Sequence, residues 1–183
     1  ARLRAGLARL PESERTERAE LLQALGNVQK ETGDYKAAAA SLEGTERIDE
    51  QLYGPDGITV SVDLFGLARI YRAVGRCDDA KRAAARELAI GQKILGPDNR
   101  DLVLDYALQG EVAGVCFKDA AAVRAGYEKA IAIADAAHDT MHLAAILPGY
   151  AYSLKVSGKV ADAVPRNRKM TTITSSAATR SVI

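Results

Sequence analysis

The sequence predicts an all-α fold, an α-solenoid of about four antiparallel helix pairs, and three observations carry that expectation. The first is composition. Alanine occurs 34 times in 183 residues, 5% of residues are aromatic, Trp is absent and there are five prolines. Such a chain favours helices that meet through small side chains over an aromatic-rich β-sandwich. The second is internal repetition, the mark of a stacked array. Leu52-Tyr53-Gly54-Pro55-Asp56 returns as Ile94-Leu95-Gly96-Pro97-Asp98, and Gly33-Asp34-Tyr35-Lys36-Ala37-Ala38 returns as Gly75-Arg76-Cys77-Asp78-Asp79-Ala80, both 42 residues on. A looser third copy of the second marker is Gly158-Lys159-Val160-Ala161-Asp162-Ala163. The third is the helical period between markers. Leu64, Leu67, Ala68 and Tyr71 fall on one helix face; Leu22, Leu25, Gly26 and Gln29 match them one period earlier, and Leu147, Tyr150, Ala151 and Leu154 near the end.

Each element follows in order. Residues 1–12 read as a preceding helix or linker, with 1–10 the last helix of an earlier repeat. The chain begins at Ala1 rather than Met, so it is expected to be an excerpt or a processed piece of something longer. The array runs over 13–170, in pairs at about 13–52, 58–95, 100–137 and 140–172. Gly26, Ala68 and Ala151 share one slot, where a small residue lets a neighbouring helix come close. The second helices are striped by Ala38, Leu42, Ile48 and Leu52, and by Ala80, Ala84, Leu88 and Ile94. In the Gly-Pro-Asp connector, Gly is expected to end one helix and Asp to cap the next. The third pair is degenerate. If Ala120 takes the slot of Ala80, Tyr127 to Ala130 falls about three residues late. In the fourth pair, Pro148 either opens a late-starting helix or kinks it. Residues 171–183 are rich in Ser and Thr and read as a flexible tail.

Charge and cysteine content narrow the function. Lys and Arg number 25 against 24 Asp and Glu, which excludes a polybasic nucleic-acid binder as the default. No run of about 18 apolar residues is present to span a membrane. Cys77 and Cys116 are expected as free, buried thiols in a reducing cytoplasm. Lys155 to Ile183 carries six basic residues against Asp162 alone, as a solvated end helix would.

No catalytic, cofactor or metal site stands out. His138 and His142 are four apart with Asp135 and Asp139 near, but the string lacks a metalloprotease glutamate and falls on a connector, so both are expected at a loop edge. Phosphate-binding glycine loops and the G-x-S-x-G elbow are missing. Carboxylates interleave with Lys and Arg, as on a solvated helix surface.

The pattern resembles the tetratricopeptide repeat, in the longer-period type of the kinesin light chains. The resemblance is carried by Leu64, Leu67, Ala68, Tyr71, Gly75, Ala80 and the run Leu88-Ala89-Ile90 through Leu95-Gly96-Pro97-Asp98, with Pro165 at a familiar helix start. It implies a superhelix whose first helices line a concave face that binds a protein or peptide, without catalysis. Residues expected to face outward there are Gln23, Asn27 and Lys30 in the first pair; Phe65, Arg69 and Arg72 in the second; Glu111 in the third; and Tyr152 and Lys155 in the fourth. Asn and Gln would bond a peptide backbone, Arg69 and Arg72 would hold carboxylates, and Phe65 and Tyr152 would anchor apolar groups. An acidic peptide suits this set. Alternatives are a regulatory or sensor segment of a larger multidomain enzyme or transcriptional regulator, a spacer, or self-association through open solenoid ends.

Overall fold

The computed structural model describes residues 2–11 and 13–158. Its helices are α1 (Arg2–Arg9), α2 (Arg15–Glu31), α3 (Tyr35–Tyr53), α4 (Ile58–Ala73), α5 (Cys77–Leu95), α6 (Val103–Phe117, entered by a 3₁₀ turn over Arg100–Leu102), α7 (Ala120–Ala136) and α8 (Thr140–Val156). Helices α2/α3, α4/α5 and α6/α7 form tight hairpins. Each pair packs on the next through α3 with α4, α5 with α6 and α7 with α8, while α4, α6 and α8 also touch in succession. That is the expected all-α solenoid. The three described pairs run over 15–53, 58–95 and 103–136. Of the fourth only α8 is described; the rest of that pair, Pro165 and the tail lie outside the described residues.

Glycines make the turns where the markers place them. Gly33 and Gly75 (φ 81° and 76°) close the hairpins, and Gly54 and Gly96 (φ 82° and 86°) end α3 and α5. The connector aspartates do not cap the following helices. Gly57 precedes α4 without a side-chain cap, and Asn99 caps the 3₁₀ turn. Asp56 instead takes Lys93 at 2.6 Å and Asp98 takes Lys129, so both staple neighbouring units.

The third pair departs by one residue. Its turn is at Lys118, which takes a left-handed φ of 57° where the earlier turns use glycine, and Asp119 caps α7 by accepting from Ala121 and Ala122 N–H, both at 3.0 Å. Val123, not Ala120, occupies the slot of Ala80. The buried face of α5 (Ala80, Ala84, Ile90) returns in α7 as Val123, Tyr127 and Ile133, 43 residues on. Tyr127 is therefore in register. The extra residue falls between Asp105, still 42 residues after Asp63, and Lys118, within α6.

Two expected stripes are corrected. In α5 the core runs through Ala83, Glu87, Ile90 and Gly91, because Leu102 packs at Gly91, where a Cβ would sit 2.6 Å from its Cδ2. Leu88 is only half-buried and Ile94 is exposed, as is Leu52 in α3. In α8 Leu143, Ile146, Ser153 and Leu154 are buried, but Ala151 is exposed. Gly26 and Ala68 are buried as expected, and Gly26 faces Leu42 too closely for a Cβ. Pro148 neither opens a late helix nor ends one. Asp139 caps α8 at its start through His142 N–H, and Pro148 sits inside the helix, unable to donate to the Ala144 carbonyl.

The cysteines are not free. Cys77, first residue of α5, and Cys116, in the last turn of α6, form a disulfide with Cα atoms 5.4 Å apart. The hairpin geometry brings the end of one first helix to the start of the preceding second helix, a proximity that cysteine count alone does not reveal.

A candidate peptide-binding groove

The first helices build a groove in two connected parts. A cavity of about 390 Å³ lies between α2 and α4, lined by Gln23, Asn27 and Lys30 on one side and Phe65, Arg69 and Arg72 on the other. These are six of the nine expected groove residues. A second cavity, about 290 Å³, continues past Phe65 and Arg69 to Glu111 of α6, Tyr127 of α7 and Gly149 of α8. Phe65 and Arg69 form a wall of both. Tyr152 and Lys155 are exposed on α8 but line neither cavity; that helix contributes Ala145, Ile146 and Gly149 instead.

Two antiparallel helices per unit, glycine turns at fixed spacing and first helices that share one face make a recognisable unit. Residues 17–93, the span of α2 to α5, match the sequence profile of the tetratricopeptide repeat family. Those residues carry tetratricopeptide repeats. No curated protein matches it.

The electrostatics of the tetratricopeptide groove differ from the sequence expectation at two points. Arg72 is not available to a ligand as expected. Its guanidinium reaches Glu111 at 3.1 Å, so these two expected groove residues neutralise one another between α4 and α6. Arg69 is exposed, lies 5.8 Å from the Phe65 ring centroid and has no carboxylate partner among the described residues. Lys30 is exposed too, 3.4 Å from the Asn27 amide oxygen.

The second point is Asp63, which sequence reading left out. It lines the first cavity yet is 4% exposed. Burial first, then its hydrogen bond to Asp49, pushes its carboxyl up to about 8. It therefore holds its proton at neutral pH, and the free charge of this cavity is the positive charge of Lys30 and Arg69. A matching pair lies one unit on. Asp105, 42 residues after Asp63, meets Glu87, whose carboxyl burial and then Asp105 push up to about 9. A signal for Asp63 was available: Val60, Asp63, Leu64 and Leu67 share a helix face, and an acid on an apolar face is buried.

The histidines take separate places. His138 adopts a left-handed φ of 54° between α7 and α8. His142 lies in the first turn of α8, its Nδ1 2.7 Å from Asp139, which also takes Arg100 at 2.9 Å. Among the described residues no group of three or more His, Cys, Asp or Glu is arranged to hold a metal, and no helix is long and apolar enough to cross a membrane.

Proposed function

We infer a binding role from the repeats, since tetratricopeptide repeats generally mediate protein–protein interaction. We propose that this chain is a non-catalytic binding module that takes an extended, acidic segment of a partner protein along the groove of its first helices. The observation that carries this reading is the pairing, in one cavity, of two exposed cations without carboxylate partners among the described residues (Lys30 and Arg69) with the apolar Phe65 wall and the amides of Gln23 and Asn27. A partner carboxylate gains a bidentate contact at Arg69, its backbone gains the amides, and a neighbouring apolar side chain gains Phe65. Arg72 acts here by holding Glu111 out of the way of an incoming acid.

The connector spacing supports the kinesin-light-chain type of repeat. The cytoplasmic placement loses the support of free thiols, since both cysteines are paired. The test is a titration of a fluorescent twelve-residue peptide of Glu, Asp and Leu against the oxidised chain. Arg69→Glu is expected to weaken binding tenfold or more, and Lys30→Glu about fivefold. Equal affinity for the wild type and Arg69→Glu would refute the assignment.

A further inference from the structure

The second helices of successive units face each other across two seams of different character. Between α3 and α5 the seam is filled with charge: Arg86 takes Glu46 at 3.1 Å, Glu50 and the Pro55 carbonyl, and Arg76 takes Glu43 at 2.6 Å. One unit on, the slots of Glu43 and Glu46 hold Ala85 and Leu88, and those of Asp79 and Arg82 hold Ala122 and Ala125. With no long charged side chains to fill it, the seam between α5 and α7 is a groove of about 610 Å³, floored by α6 and bounded at one end by Phe117, which is 40% exposed. Lys81 stands at that end, its ammonium 5.2 Å from the Phe117 ring centroid and without a carboxylate partner among the described residues. Lys129 lines the groove further along, paired with the exposed Asp98 and 5.8 Å from the Tyr106 ring centroid; among the described residues the one acid in the lining, Asp119, is engaged in capping α7.

We propose that this groove takes an amphipathic helix of a partner protein, about three turns long, with small apolar side chains on one face and a carboxylate at each end. The walls are themselves helices, whose backbone groups are already paired. An entering helix satisfies its own backbone, which an extended strand would not. From Lys81 to Gln92 the wall runs eleven residues, about 16 Å, or three turns. Charge selects the occupant. Lys81 has no carboxylate partner among the described residues, and a surface pair such as Lys129–Asp98 exchanges at a cost below about 1 kcal/mol. The helix α1 of a second copy carries Arg2, Arg4 and Arg9 and no acid, and residues 159–183 carry five basic residues against Asp162, so both have the wrong sign.

The probe is a fluorescein-labelled fourteen-residue helical peptide of Ala and Leu, with Leu spaced three and four apart and Glu at both ends, followed by anisotropy. A second probe carries Lys at both ends. Each is titrated against the oxidised full chain, Ala89→Glu at an exposed wall position, and Lys81→Glu, with circular dichroism checking that both variants keep the helical signal. Saturable binding of the Glu-ended probe is expected, at least tenfold weaker in Ala89→Glu and about fivefold weaker in Lys81→Glu, which should gain affinity for the Lys-ended probe. Arg69→Glu should leave it unchanged, separating this surface from the first-helix groove. Absence of saturable binding, or equal affinity in Ala89→Glu, overturns the proposal. So does micromolar self-association by sedimentation that Ala89→Glu abolishes, which would make a second copy the occupant.

Discussion

The seam between α3 and α5 is closed by ion pairs, whereas its counterpart between α5 and α7 is open, largely apolar and has a disulfide between α5 and its floor helix α6. The backbone arrangement is the same, since the buried face of each second helix recurs at 42 or 43 residues. The difference lies wholly in the half-exposed slots beside that face. Core positions are held by the fold; the slots at the seams are free to become either glue or a binding surface.

The largest effect is expected from the covalent tie. Cys77 and Cys116 are 39 residues apart and join the second unit to the third beside the open seam. Closing a loop of that length is worth about 4 kcal/mol in the unfolded-chain account. Reduction, or Cys77→Ser with Cys116→Ser, should lower stability by about that much in urea unfolding, and an unchanged midpoint would show that the second seam holds without it.

The buried acids come next, and they treat the two units alike. Asp63 with Asp49, and Glu87 with Asp105, sit where α3 meets α4 and α5 meets α6. The carboxyls of Asp63, Glu87 and Asp105 titrate higher in the folded chain than in the unfolded one, so the native state binds more protons between about pH 4 and the values near 8 for Asp63 and 9 for Glu87. Stability is full below pH 4 for these groups and is lost as pH rises through those values. Unfolding free energy should fall steadily between pH 5 and pH 9. Asp63→Asn, which keeps the shape and removes the titration, should flatten the slope. Rising stability over that range would contradict the assignment.

A third comparison concerns hairpin spacing. Gly126 in α7 stands where α5 has Ala83, and a Cβ on Gly126 would lie 2.7 Å from the Tyr106 carbonyl and 2.8 Å from Gly110 N. Helices α6 and α7 are closer than Ala allows. Gly126→Ala should therefore destabilise by about 2 kcal/mol, against its favourable helix propensity. The smallest effects lie at the seams themselves. Arg86→Ala removes several partly exposed contacts and should cost about 1 kcal/mol; Lys129→Ala, its counterpart, less than about 0.5. Equal losses by thermal melting would erase the distinction between the seams.

The fold was legible because its signals are local and repeated. Glycine turns, the connector and the first-helix stripes each appear more than once at one spacing. The third unit was harder because Lys118 makes a turn that usually needs glycine and one residue is added before it. Leu88 and Ile94 were read as core because an apolar residue near a stripe looks buried; only the packing of Leu102 on Gly91 shows the face turned away from them. The disulfide, the Arg72–Glu111 pair and the buried carboxyl pairs are contacts between units, and spacing within one unit carries no trace of them. Seven of the nine expected residues line the two cavities, since they follow from helix phase alone. Tyr152 and Lys155 did not join them because α8 presents Ala145 and Gly149 to the second cavity.

The most direct test of the account is one anisotropy titration of the extended acidic peptide against wild type, Arg69→Glu and Ala89→Glu, all oxidised. The two surfaces are predicted to be separate, so Arg69→Glu should lose tenfold or more in affinity while Ala89→Glu binds as the wild type does. The same affinity for all three proteins, or a loss in Ala89→Glu equal to that in Arg69→Glu, would contradict it.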